Sequence, residues 1–353
     1  MKSITPYCIE NYEQQTTIAE RMCKFKNFIL TVILLVISAW TMRANDPCDI
    51  YRHEAESFLS AMPKDLQRRQ AEAIRQAIAG NNSLLEDIRE SRNQPPELPS
   101  VVTRTPVGDN MVLFRDRRYE NDTIPLLLYF HGGGWTIGSI NSCSRFCSEM
   151  ALNGVAVLAV DYRLAPEHPY PTGLYDCISA AEIAADSLER WKCNGIVVGG
   201  DSSGGNLAIA TALSFPANMF DGVVAFYPVT KAYPDNSPSW QKYGHGFGLD
   251  SELMEAFNAT YTSDVYNPMV SPARASDSDL KKMPPLLIIA AECDILKDQG
   301  YEFANHLKRL GNKVCYHIIP NSVHLFITVP RQTASFNRAV SETSRFISEI
   351  FIR

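Results

Sequence analysis

The chain has 353 residues, 45% of them hydrophobic, and a formal net charge of −6, enough apolar material for a large core and no positive excess. No basic block runs longer than a few residues, which excludes a dedicated nucleic-acid binder, and the mild acidity indicates no particular partner. The nine cysteines include no Cys-x-x-Cys pair and no Cys/His spacing for zinc, so no metal is expected.

Near the N-terminus, "KFKNFILTVILLVISAWTMRAND" sets lysines before an apolar run from Phe28 to Trp40. That run falls short of the ~20 residues of a membrane span and suits a signal-peptide core. Residues 1–44 are therefore expected to be a leader, either a signal peptide of a secreted or periplasmic protein or a retained membrane anchor. Met22 is an alternative start, and Ala39 and Ala44 are candidate cleavage points.

Residues 45–95 read as a helical segment, with "DLQRRQAEAIRQAIAG" periodic and Gly80 a stop. "NQPPELPS" breaks the pattern as a linker. From residue 96 strands and helices alternate. "PLLLYF", "VAVLAV", "GIVVGG", "GVVAFYPV", "PLLIIAA" and "VCYHIIP" are near-continuous apolar runs, as expected for parallel strands buried on both faces. Residues 231–280, rich in Pro, Tyr, Ser, Gly and Asp, interrupt the alternation. With the segment before residue 95 they are expected to form a cap over the sheet's C-terminal edge. Cys143 and Cys147, four apart on an expected helix, read as buried small hydrophobes.

"VVGGDSSGGNLA" (197–208) joins a strand to a helix through a glycine-rich turn, the nucleophile-elbow pattern Gly-x-Ser-x-Gly. Centred on Ser202, the crowded positions two residues away are Gly200 and Gly204. Centred on Ser203, one of them would be Asp201. Ser202 is therefore the candidate nucleophile, and Ser203 would lend its backbone N–H. No lysine follows the glycines, so a phosphate loop is excluded.

A serine nucleophile needs a base and an orienting acid. Among the seven histidines, His324 alone follows the last strand in a loop; His317 lies in the strand, His306 on a helix and His53 in the N-terminal segment. Asp294, directly after "LLIIAAEC", is preferred as acid over Glu292 and Asp298, and the order Ser, Asp, His fits. An N-cap role is the competing reading for Asp294. "YFHGGGW" (129–135) supplies oxyanion donors, assigned to Gly132 and Gly133 with Ser203; preorganised donors are worth roughly 3–4 kcal/mol each.

"HGGGW", "DYRLAPEHPYP", "GDSSGGNLA", "SPARA" and the Asp294/His324 pair resemble the hormone-sensitive-lipase family of esterases over about residues 95–350. The resemblance implies an α/β-hydrolase core under a helical cap, no metal or cofactor, and ester hydrolysis through an acyl-enzyme on Ser202, with acid Asp294, base His324 and oxyanion glycines Gly132 and Gly133. In "DYRLAPEHPYP", Asp161 and Arg163 would brace loops. Ser203 departs from the family's usual alanine, and Ile295 from the proline that commonly follows the acid. The expected substrate is a small-molecule ester with a short- to medium-chain acyl group. The alternative is an acylated carbohydrate, with Tyr233, Trp240, Tyr243 and Phe247 of the cap stacking on sugar or phenolic rings. A non-catalytic receptor on the same fold is the remaining alternative; oligomeric state stays open.

Overall fold

The computed structural model describes residues 49–352, together with Lys26, Ile29 and Thr31. The leader expected at residues 1–44 lies outside the described residues apart from those three. No helix among the described residues is long and apolar enough to cross a membrane.

Among the described residues eight strands form one sheet in the order β1-β2-β4-β3-β5-β6-β7-β8. They are β1 Val102–Val107, β2 Met111–Asp116, β3 Ile124–Phe130, β4 Ala156–Val160, β5 Cys193–Asp201, β6 Gly222–Phe226, β7 Leu286–Cys293 and β8 Val314–Val323. β1 and β2 pair antiparallel, as do β2 and β4, and the six strands from β4 to β8 run parallel. The apolar runs lie here because a parallel sheet covered on both faces leaves no side of a strand for polar residues. Leu126, Leu128 and Val198 enter the core on one face, and Leu127, Val197 and Val224 enter that on the other.

Two features depart from the sequence reading. The β1–β2 hairpin is absent from the apolar runs because most of β1 is exposed or half-buried; its turn carries Gly108 at φ +62°. β8, expected to be buried on both faces, is the edge strand, with Ile318 39% exposed.

The helices between strands are α4 Ile140–Leu152, α5 Thr172–Asp186, α6 Ser203–Ser214 and α10 Lys297–Arg309, and α11 Thr333–Phe351 ends the fold. Ahead of the sheet come α1 Asp49–Ala61, α2 Leu66–Ile78 and α3 Ser83–Arg92. Within residues 231–280 lie α7 Pro238–Tyr243, α8 Ser251–Tyr261 and α9 Asp277–Leu280. α2 buries Gln67, Gln70, Ala71, Ile74 and Ala77, a single face at helical spacing, and packs against α8. The Gln67 amide donates to the Gly248 carbonyl at 2.9 Å and its oxygen accepts the Asp250 N–H at 3.2 Å. The two segments therefore pack as one cap. Cys143 and Cys147 are buried on α4 with their sulfurs 3.8 Å apart.

Candidate active site

Strand β5 ends at Asp201 and helix α6 starts at Ser203, leaving Ser202 alone to make the reversal. It does so at φ 56°, ψ −117°, a conformation that L-residues rarely adopt. The flanking glycines make this possible. A Cβ on Gly204 would lie 2.0 Å from the Phe130 carbonyl oxygen, and one on Gly200 would lie 2.4 Å from the Gly204 backbone. The glycine frame centred on Ser202 is thus a steric requirement of the turn.

His324 follows directly on β8 and Asp294 directly on β7, neighbouring parallel strands. His324 Nδ1 lies 2.6 Å from Asp294 Oδ2, and His324 Nε2 lies 3.1 Å from Ser202 Oγ. All three residues are buried. With the ring proton on Nδ1, His324 donates to Asp294 and accepts from the serine hydroxyl, an arrangement that can take up the hydroxyl proton as oxygen attacks a carbonyl. The other oxygen of Asp294 accepts the Leu296 N–H at 2.9 Å. One carboxylate thus orients the imidazole and anchors the turn into α10. Ile295 fits in the core in place of proline, fully buried.

Two residues that sequence patterns did not single out hold the imidazole. Gln332 accepts the Val323 N–H at 3.1 Å and donates to the His324 carbonyl at 3.0 Å. The Tyr227 ring lies 4.3 Å from the His324 ring, and its hydroxyl accepts the Ile327 N–H at 3.2 Å. No local sequence signal points to either residue: Gln332 acts through the backbone of the loop that carries His324, and Tyr227 reaches that loop from 100 residues away in the chain.

The glycine loop after β3 requires one correction. The N–H of Gly132, expected to be an oxyanion donor, donates to Asp201 Oδ1 at 3.0 Å. It is therefore already engaged. The N–H groups of Gly133, Gly134 and Ser203 find no acceptor among the described residues. Gly133 and Gly134 have φ of +126° and +60°, and a Cβ on Gly133 would lie 2.0 Å from the Ile137 carbonyl oxygen. Asp201 also accepts the Tyr129 hydroxyl at 2.9 Å, its second oxygen has no partner among the described residues, and burial raises its pKa. Of the loop's other residues, His131 stacks on Tyr162 and Trp135 on Tyr261 of α8, each pair 4.4 Å apart. A Cβ on Gly134 would strike the ring of Phe257, so the cap rests directly on this loop.

Asp161 and Arg163 behave as braces. Asp161 accepts the Ile140 N–H at the start of α4 at 2.6 Å, and Arg163 pairs with Asp176 at 2.7 Å. His317 lies 3.1 Å from Glu342 and His306 2.9 Å from Asp277, on other faces of the fold.

Ser202, His324 and the three glycines line a cleft of about 60 Å³, roofed by Leu249, Leu253 and Phe257. Tyr233, Trp240, Tyr243 and Phe247 are not among its lining residues. Trp240 and Tyr243 are buried in the cap, Tyr243 packs edge-on to Phe247, and Tyr233 leans on Tyr266. None of these four aromatics therefore faces the cleft of Ser202 and His324.

Residues 127–328 match a family described as having the alpha/beta hydrolase fold. The chain is 33% identical to an ethyl acetate hydrolase of Pseudomonas putida over 282 residues, 76% of this chain and 85% of that one. It is also 33% identical to lipase 2 of Moraxella sp. (strain TA144) over 237 residues, covering 58% of this chain and about half, 54%, of that lipase. An esterase structure from Rhizomucor miehei superposes with a TM-score of 0.71 over 84% of this chain and 95% of that one, at 24% identity, a likeness of fold.

Proposed function

Because the chain belongs to the alpha/beta hydrolase family, in its hormone-sensitive-lipase-like branch of esterases, we propose that it hydrolyses carboxylic esters through an acyl-enzyme on Ser202. The observation that carries this reading is the unbroken relay from Ser202 Oγ through His324 to Asp294, at 3.1 and 2.6 Å, at the base of a capped cleft.

His324 Nε2 takes the hydroxyl proton as Ser202 Oγ attacks the ester carbonyl, and Asp294 stabilises the imidazolium. The N–H groups of Gly133, Gly134 and Ser203 receive the negative oxygen of the tetrahedral intermediate, with Gly134 in the place first expected of Gly132. The intermediate collapses, His324 gives the proton to the departing alkoxide, and the alcohol leaves. A water deprotonated by the same imidazole then attacks the acyl-enzyme, releasing the carboxylic acid and restoring the serine. The small, apolar-roofed cleft supports short- to medium-chain acyl groups.

Ser202→Ala is expected to lower turnover of p-nitrophenyl acetate by at least ~10³-fold and to abolish labelling by a fluorophosphonate, with the circular dichroism spectrum unchanged. Wild-type turnover in that folded variant rejects the mechanism. Failure of the wild type to take the fluorophosphonate supports the non-catalytic alternative instead.

A further inference from the structure

The apolar face of α2 contains two glutamines, and their situations differ. Gln67 spends its amide on the cap, bonding to Gly248 and Asp250. Gln70, 3% exposed, lines the cleft of Ser202 and His324 and makes no hydrogen bond with the described residues. Its amide atoms are not among the fully buried unpartnered ones, so they stand open to the cleft, where water or a ligand group can bond them.

The last turn of α3 repeats the contrast with two arginines. Arg89 is fully committed: it donates to the Thr136 and Ala165 carbonyls and pairs with Glu167. Arg92, half-buried, lines the same cleft as Gln70, has no carboxylate partner among the described residues, and has its pKa lowered by burial. It also lines a second cavity of about 230 Å³ bounded by Phe58, Met62, Leu66 and Val329, where Arg331 is a further cation. The cleft and this cavity share Gln67, Arg92 and Leu325. Asp201 is the single carboxylate in either lining, and its Oδ1 is occupied by Gly132 and Tyr129.

We propose that the cleft selects esters that carry a second, ionised group, with a carboxylate held by the guanidinium of Arg92, which both cavities share, and by the amide of Gln70 on the cleft side. A guanidinium presents paired donors that match a carboxylate, and an amide N–H can join them. The apolar walls of the second cavity would hold the carbon skeleton bearing that group. This rests on the hydrolase reading for the identity of the reacting bond, but the binding test below does not depend on turnover.

Two matched pairs decide it: 4-acetoxybenzoate against 4-acetoxybenzamide, with the charge on the alcohol side, and monophenyl glutarate against phenyl pentanoate, with the charge on the acyl side. Calorimetric titration of full-length Ser202→Ala is expected to show one charged member bound about tenfold more tightly than its neutral partner. That preference is expected to fall with added salt and to disappear in Ser202→Ala/Arg92→Gln. Arg92→Lys is expected to keep part of it, and Gln70→Ala to reduce it several-fold. In the active enzyme the ratio of kcat/KM within the preferred pair should follow the same order. Equal affinities within both pairs, binding of neither pair, or a preference that survives Arg92→Gln overturns the proposal. If the wild type turns over no ester at all, the hydrolase reading fails while the titration still decides the anion site.

Discussion

Asp201 joins the two halves of the site by one oxygen. Its Oδ1 accepts the Gly132 N–H and the Tyr129 hydroxyl, tying the glycine loop to the turn that carries Ser202, while Oδ2 is buried without a partner among the described residues. Asp201→Ala removes both bonds and leaves two buried donors unpaired, at about 1–3 kcal/mol each, and turnover should fall as the loop loosens. Asp201→Asn keeps an oxygen in place and should retain most activity. A pH dependence separates the two forms further. Burial raises the folded-state pKa of Asp201, so its contribution to stability is full below the ordinary carboxylate range and is lost as pH rises through the raised value. Asp201→Asn should therefore gain on the wild type in urea unfolding as pH rises from 4 to 7. A constant gap across that range rejects the assignment. The need for Ser202, Asp294 and His324 was legible in the chain because each follows a strand and their chemistry is restricted to few residue types. The free N–H groups were not, since Gly132 and Gly134 are the same residue type in one run, and only the fold shows that Asp201 reaches the first and not the second.

Between elements, the crowding of β3, β5 and α6 makes a sharper test than the presence of glycines. Gly204 and Gly205 are adjacent in α6, yet a Cβ on Gly204 would lie 2.0 Å from a β3 carbonyl, and one on Gly205 would lie 3.0 Å from the Pro228 side chain. Gly204→Ala must push α6 off the sheet and should cost at least ~1–3 kcal/mol, with turnover lost as Ser202 moves. Gly205→Ala trades mild crowding against a helix-propensity gain of about 1 kcal/mol and should change both little. Thermal unfolding and p-nitrophenyl acetate turnover of the two variants check the ranking; equal effects would mean that the glycines serve flexibility rather than contact. The parallel strands were legible because burial on both faces writes itself as unbroken apolar runs. β1 gives no such run, and β8 gives one although it is an edge, because residues facing α10 and α11 are apolar whether or not a further strand lies beyond them.

At the scale of the molecule, the cap draws together pieces of chain that are far apart in sequence. Gln67 bonds to Gly248, 181 residues away, and Arg75 reaches Glu252 at 2.8 Å. The exposed ion pair contributes at most ~1 kcal/mol, whereas the buried amide satisfies two backbone groups that would otherwise be orphaned. Gln67→Ala leaves the Gly248 carbonyl and the Asp250 N–H without partners, a loss of about 1–3 kcal/mol for each group. If α2 and α8 open as one cooperative unit, hydrogen exchange in this variant should quicken over residues 66–78 and 245–261 together, while β3, β5 and β6 keep their protection. Exchange that quickens in α2 alone would show that the two segments move independently, and the cleft would then lose Gln70 without losing Phe257. The common opening is expected because Ala71, Ile74 and Ala77 of α2 and Leu253 and Phe257 of α8 belong to one apolar cluster, and neither helix can leave it without exposing the other.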